Sequence, residues 1–168
     1  MKKFLAMLMA VMMVLSLVTV PVMAETPAAN DPRLSTAPKT GTAAAPADAA
    51  NLNEALNVAG GTLTFTSEGD HPWIVDGDAA KSTNVNVANS TSTVSTTVTA
   101  AAGDILQFDF MSFGEGSGNY VWDGLHLTVD GTEVMKWSRV ETWTTYAVEL
   151  TAGEHTVAWS YQKDGSVD

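Results

Sequence analysis

The chain contains no cysteine. A disulfide framework, a thiol nucleophile, a redox pair and a thiolate zinc site are therefore excluded, and packing alone must hold the fold. Basic residues are also scarce: 8 Lys plus Arg stand against 19 Asp plus Glu, for a formal charge of -11. Nucleic acid is a poor partner for such a chain, because neutralising phosphates takes clustered cations. Catalytic residues are thin too. The only histidines are His71, His126 and His155, and none lies at a zinc-ligand spacing. His126 alternates with core leucines and should point to the opposite face, while His155 opens a strand, so each reads as a surface or strand-end residue. No long apolar run follows the first segment to anchor the chain in a membrane.

What is present divides into three parts. Lys2 and Lys3 precede a nearly unbroken apolar run from Phe4 to Val18, which ends near Pro21 and the small-residue context Val22-Met23-Ala24. That is the pattern of a cleavable secretory signal peptide over 1–24, and it predicts a secreted or cell-surface protein. Residues 25–50 are rich in Ala, Pro and Thr, lack aromatics and hold four of the six prolines. Such a segment buries too little apolar surface to order itself and reads as a disordered linker. Residues 51–168 form the domain.

Within the domain Asn51–Val58 has room for one or two helical turns before Gly60-Gly61, after which the apolar period becomes two. Leu63 and Phe65 alternate with threonines, Val94, Thr96 and Val98 share a face of a Ser/Thr-rich run over 91–99, and Leu106, Phe108 and Phe110 alternate with Gln107 and Asp109. Leu125, Leu127 and Val129 repeat the pattern up to Asp130-Gly131, a favoured two-residue hairpin turn that leads into Glu133–Trp137. Tyr146, Val148 and Leu150 share a face, as do Val157, Trp159 and Tyr161. About seven strands of this kind predict an all-β, antiparallel two-sheet β-sandwich or jelly roll, since one sheet would leave half the apolar faces wet. Trp137 and Trp159 belong to its core.

The glycine run Gly114-Glu115-Gly116-Ser117-Gly118 fits neither a nucleophile elbow, where Glu115 occupies the required glycine position, nor a dinucleotide loop, since no helix follows. It reads as a flexible connection between strands. Tyr120 and Trp122 stand in that connection, where burial is not guaranteed, and an exposed aromatic there can stack on a sugar ring or anchor a protein partner. The competing reading has Trp122 folding back to plug the end of the sandwich. Loop carboxylates form a second set: Asp70, Asp76 and Asp78 in one loop, Glu115 and Asp123 flanking the glycine run, and Asp164 near the end. Oxygen ligands of this kind suit a structural calcium, with Glu115, Asp123 and Asp164 as the expected ligands, although Asp76-Gly77-Asp78 lacks the rest of an EF-hand loop. No carboxylate pair is marked out for glycoside hydrolysis.

Certain stretches also match a known pattern: His71-Pro72-Trp73 before a Gly/Asp loop, Leu106–Phe110 with Glu115 soon after, Asp123 opening a strand that ends in Val129-Asp130-Gly131, and, most specifically, Ala152–Asp164. From about Leu52 onward the chain resembles the MAM-like, choice-of-anchor or cleaved-adhesin type of bacterial extracellular module. The resemblance implies a jelly-roll sandwich that serves as a non-catalytic binding or adhesion unit, with an extracellular glycan or a host or surface protein as partner. In that family a further segment and a last strand follow the Lys-Asp turn, so the domain reads as incomplete at its C-terminus. A strand ending in an exposed Gly-Ser turn also leaves an uncapped sheet edge. Two alternatives stay open: an accessory carbohydrate-binding module or part of a secreted carbohydrate-active enzyme, and a structural stalk domain.

Overall fold

The structure is a computed structural model that describes residues 51–56, 63–77, 79–117 and 119–166. The expected signal peptide and linker lie outside the described residues, as does Asp78. The fold is all-β apart from one turn of helix, α1 (Leu52–Ala55). Among the described residues ten strands follow in chain order: β1 (Ile74–Asp76), β2 (Ala79–Lys81), β3 (Thr91–Ala100), β4 (Ile105–Ser112), β5 (Gly116–Ser117), β6 (Tyr120–Val121), β7 (Gly124–Val129), β8 (Thr132–Trp137), β9 (Val140–Glu149) and β10 (Gly153–Gln162). Among the described residues no helix is long and apolar enough to cross a membrane.

Helix α1 begins where it does because the Asn51 side chain caps it, accepting the Glu54 N–H at 3.1 Å and donating to the Glu54 carboxylate at 3.0 Å. The main sheet has the order β3-β10-β7-β8, all antiparallel, and faces the antiparallel pair β4-β9. Period two decides which side chains lie between the layers. Leu106, Phe108 and Phe110 from β4 and Tyr146 from β9 meet Val94, Leu125, Leu127, Trp137, Val157 and Trp159 from the main sheet, and all are buried. Phe108 is the centre of this contact, with ring centroids 5.4 Å from Trp159, 5.7 Å from Tyr146 and Phe110, and 6.0 Å from Trp137. Truncating such a ring costs roughly 3–5 kcal/mol, so this aromatic knot is a principal source of stability. Burial also pushes the Tyr146 phenol above its ordinary pKa of 10.0.

The Asp130-Gly131 turn forms as its residues dictate, with both in the left-handed region at φ 52° and 75° and Val129 paired to Thr132. Three expectations are corrected. Phe65 is buried, but its segment is not a regular strand: its backbone pairs with β3 at the Thr66–Ser95 bridge, the Thr96 and Ser67 hydroxyls add bonds to the Thr64 and Thr93 carbonyls, and the Phe65 N–H, on the side away from β3, donates to the Asn53 side chain at 2.7 Å. His126 does lie opposite Leu125 and Leu127, yet it is only 7% exposed, because β7 runs between two neighbours and its Nδ1 is held by Glu133 at 2.7 Å. His155 is likewise buried, at 8% exposure. Finally, β10 is no edge. It pairs with β3 along its whole length and with β7 on its other side, so the edges of that sheet are β3 and β8 and the uncapped-edge argument does not apply.

Candidate functional site

Two large aromatics are displayed at one end of the layers. Tyr120 is 74% exposed and Trp122 47% exposed. Tyr120 belongs to the small β5-β6 hairpin, in which Gly116 faces Val121 and Ser117 faces Tyr120. Trp122 follows directly and does not plug the sandwich.

The base of this hairpin is pinned, and glycine is what permits it. A Cβ at Gly114 would lie 2.2 Å from the Asp123 carbonyl oxygen, one at Gly116 2.4 Å from the Tyr120 carbonyl oxygen and the Ser138 Oγ, and one at Gly124 2.2 Å from the Trp137 carbonyl oxygen. These residues are glycine because backbones approach one another there, a different reason from the flexible connection that the run of glycines implies. The Glu115 carbonyl accepts the N–H groups of both Trp122, at 2.9 Å, and Asp123, at 3.0 Å. Ser112 ties the layers together just below, donating to the Trp137 carbonyl at 2.9 Å and accepting the Leu125 N–H at 3.0 Å. The Tyr161 hydroxyl donates to the Phe113 carbonyl.

An ion pair completes the base. Asp123 is fully buried, and its Oδ2 accepts from the Lys163 ammonium at 2.5 Å, while its Oδ1 accepts the Asp164 N–H at 2.8 Å. Lys163 itself is only 8% exposed. The next turn continues the chain of contacts: the Ser166 N–H and Oγ both donate to Asp164 Oδ1 at 2.7 Å, and Ser166 Oγ also lies 3.0 Å from Glu115 Oε1. The backbone N–H of Ser166, then its hydroxyl, holds the Asp164 carboxyl below its ordinary pKa of 3.8.

The structure thus brings the three expected calcium ligands, Glu115, Asp123 and Asp164, to one corner. One oxygen of Glu115 and one of Asp164 are engaged with Ser166, and Asp123 is engaged through both of its oxygens. Both Asp123 oxygens are committed to nitrogen donors, and the cation that compensates its charge is Lys163. Seating an ion against Asp123 would mean expelling a buried ammonium, so the donor set does not fit calcium as a three-carboxylate site. Among the described residues no group of three or more His, Asp or Glu side chains converges as a metal site. Of the other acidic loop, Asp76 ends β1 and faces Lys81 at 3.7 Å. The contribution of Lys163 was not legible as a site, although one of only eight basic residues directly following an apolar strand is a signal that it has a buried acid to meet.

Comparison of the chain with protein-family models, with curated proteins and with solved structures finds no match.

Proposed function

We propose that the chain is an exported, non-catalytic binding module, a jelly-roll scaffold whose contact surface is the Tyr120–Trp122 hairpin and whose ligand is an extracellular glycan. One observation carries this reading: two large rings stand open to solvent on a hairpin whose base is locked by close glycine contacts and a buried ion pair. Exposed rings gain by covering themselves, and a rigid base means little conformational freedom is lost when they do so. The flat faces of the rings suit the apolar face of a sugar, and the Glu115 carboxylate is attached at the foot of the same hairpin, where it can accept a ligand hydroxyl. The apolar run behind Lys2 and Lys3 supports export, and the resemblance to bacterial adhesion modules supports the class.

The test is a glycan array followed by calorimetry with the full chain and its Trp122→Ala and Tyr120→Ala variants. Aromatic anchors at an interface cost about 2 kcal/mol or more when truncated, so each variant should bind roughly 30-fold more weakly or worse. Their melting temperatures should not change, because neither ring belongs to the core. Binding that survives both substitutions would refute the site. No binding to any glycan, with binding to a host or surface protein that Trp122→Ala abolishes, would keep the site and change the partner. No binding at all would favour the stalk reading, which the hydroxyl-bearing outward positions of β3, Thr91, Thr93, Ser95, Thr97 and Thr99, would suit.

A further inference from the structure

At a second place in the fold two turns meet over a small cavity of about 210 Å³, lined by Val129, Val134, Val148 and Leu150 together with Asp130, Glu149, Thr151 and His155. His155 spans them. Its Nδ1 lies 2.7 Å from Asp130 Oδ2 in the β7-β8 turn, and its Nε2 lies 2.9 Å from the Thr151 carbonyl oxygen in the β9-β10 turn. Asp130 is bound to β10 twice more, its N–H donating to the Thr156 carbonyl at 2.8 Å and its Oδ1 accepting the Thr156 N–H at 2.9 Å.

The order hydroxyl, imidazole, carboxylate through Thr151, His155 and Asp130 has the look of an activated nucleophile, but the wiring is wrong for one. With the Thr151 carbonyl oxygen 2.9 Å from Nε2, the charged ring carries an N–H there and has no lone pair to take a proton from the Thr151 hydroxyl. Both ring nitrogens face oxygen acceptors, an arrangement that only the imidazolium satisfies fully. When the ring is neutral it has one N–H for two acceptors, and one oxygen then faces a lone pair. The Thr151 hydroxyl, 3.3 Å from Nε2, is the donor that could turn to meet it.

We propose that His155 is a proton-operated latch, which in its charged form clasps the Asp130-Gly131 turn to the Thr151–Gly153 turn over the cavity and which loosens when the ring loses its proton. The charged groups around it are of one sign. Asp130 comes from the β7-β8 turn and Glu149 from the end of β9, while Glu154 lies next to His155 on β10 and alternates to the other face. No Lys or Arg lines the cavity among the described residues. The hydrogen bond to Asp130, then that to Thr151, holds the imidazole pKa above its ordinary 6.5, against the opposing effect of burial. The bond from His155, then that from Thr156, holds Asp130 below 3.8. The signs follow. A raised histidine stabilises the fold fully below pH 6.5 and stops doing so as pH rises through its folded value; a depressed aspartate stabilises it above 3.8 and stops as pH falls through its own.

The experiment is a pH series from 5 to 9 on the full chain and on Asp130→Asn, which keeps a favoured Asn-Gly turn. Long-range ¹H–¹⁵N spectra of the imidazole would be read with amide hydrogen exchange. Support would be a His155 midpoint above 6.5, two protonated ring nitrogens below it, a downward move of the midpoint in Asp130→Asn, and loss of protection at the Thr156 and Asp130 amides as pH passes the midpoint, beyond the intrinsic rise in exchange rate. A midpoint at or below 6.5, or protection that stays level across it, would overturn the latch. Should Asp130→Asn fail to fold, the wild-type midpoint and protection decide alone, with His155→Gln expected to abolish the pH dependence.

Discussion

Replacing Lys163 with Met isolates the energetic role of the buried corner. Methionine keeps most of the apolar stem and removes the charge, leaving the Asp123 carboxylate fully buried with the Asp164 N–H as its remaining donor among the contacts described above. Removing one member of a buried pair costs about 3–5 kcal/mol, because the surviving charge is neither solvated nor compensated. Against a total stability of about 5–15 kcal/mol for a domain this is severe, and at roughly 4 °C per kcal/mol the melting temperature should fall by about 12–20 °C. Urea unfolding followed by tryptophan fluorescence would give the free energies, provided the slope is unchanged.

The double variant separates charge from packing. Asp123→Asn alone leaves a buried ammonium facing an amide, and Asp123→Asn with Lys163→Met leaves neither charge. If the cost of Lys163→Met is that of an orphaned carboxylate, the double variant should be more stable than Lys163→Met alone, with a coupling energy on the order of 2–3 kcal/mol. A Lys163→Met chain within about 1 kcal/mol of wild type, or a cycle that closes additively within about 0.5 kcal/mol, would refute the reasoning. Either result would mean that Lys163 reaches solvent and that Asp123 is stabilised by some other donor.

Two further outcomes are expected. Gly124→Ala should destabilise by about 1–3 kcal/mol or more, since its Cβ would lie 2.2 Å from the Trp137 carbonyl oxygen, whereas Gly165→Ala, whose nearest neighbour is the Asn89 side chain at 3.5 Å, should stay within about 0.5 kcal/mol; equal effects in thermal melts would show that the backbones do not approach this closely. Melting curves in EDTA and in millimolar calcium should coincide, because Asp123 is committed to Lys163; a calcium-dependent rise would place an ion at the rim carboxylates Glu115 and Asp164.

The parts of the fold legible in the sequence are those where one physical rule acts alone. Alternation in Leu106–Phe110 and Val157–Tyr161 is dictated by burial on one face of a pleat, so the buried faces could be read directly. Asp130-Gly131 was readable because a two-residue turn demands positive φ at both positions, which few residues tolerate. Competing long-range demands hid the rest. Phe65 alternates as a strand residue does, but its segment pairs with β3 at the Thr66–Ser95 bridge, while its own N–H goes to the Asn53 side-chain oxygen, and no local pattern announces an acceptor twelve residues away. The first half of β9, residues 140–145, lacks a clean apolar face, and β4 pairs with it at Val140, Thr144 and Thr145 on either side of a register shift between Phe110 and Ser112. At the hairpin the same distinction applies. The prominence of Tyr120 and Trp122 showed in their setting among glycines, but period-two spacing is silent about whether a ring at a strand end turns inward or outward. In the structure both rings turn outward, Tyr120 at 74% and Trp122 at 47% exposure, and the glycines around them serve close approach: a Cβ at Gly114 or Gly124 would meet the Asp123 or Trp137 carbonyl oxygen at 2.2 Å.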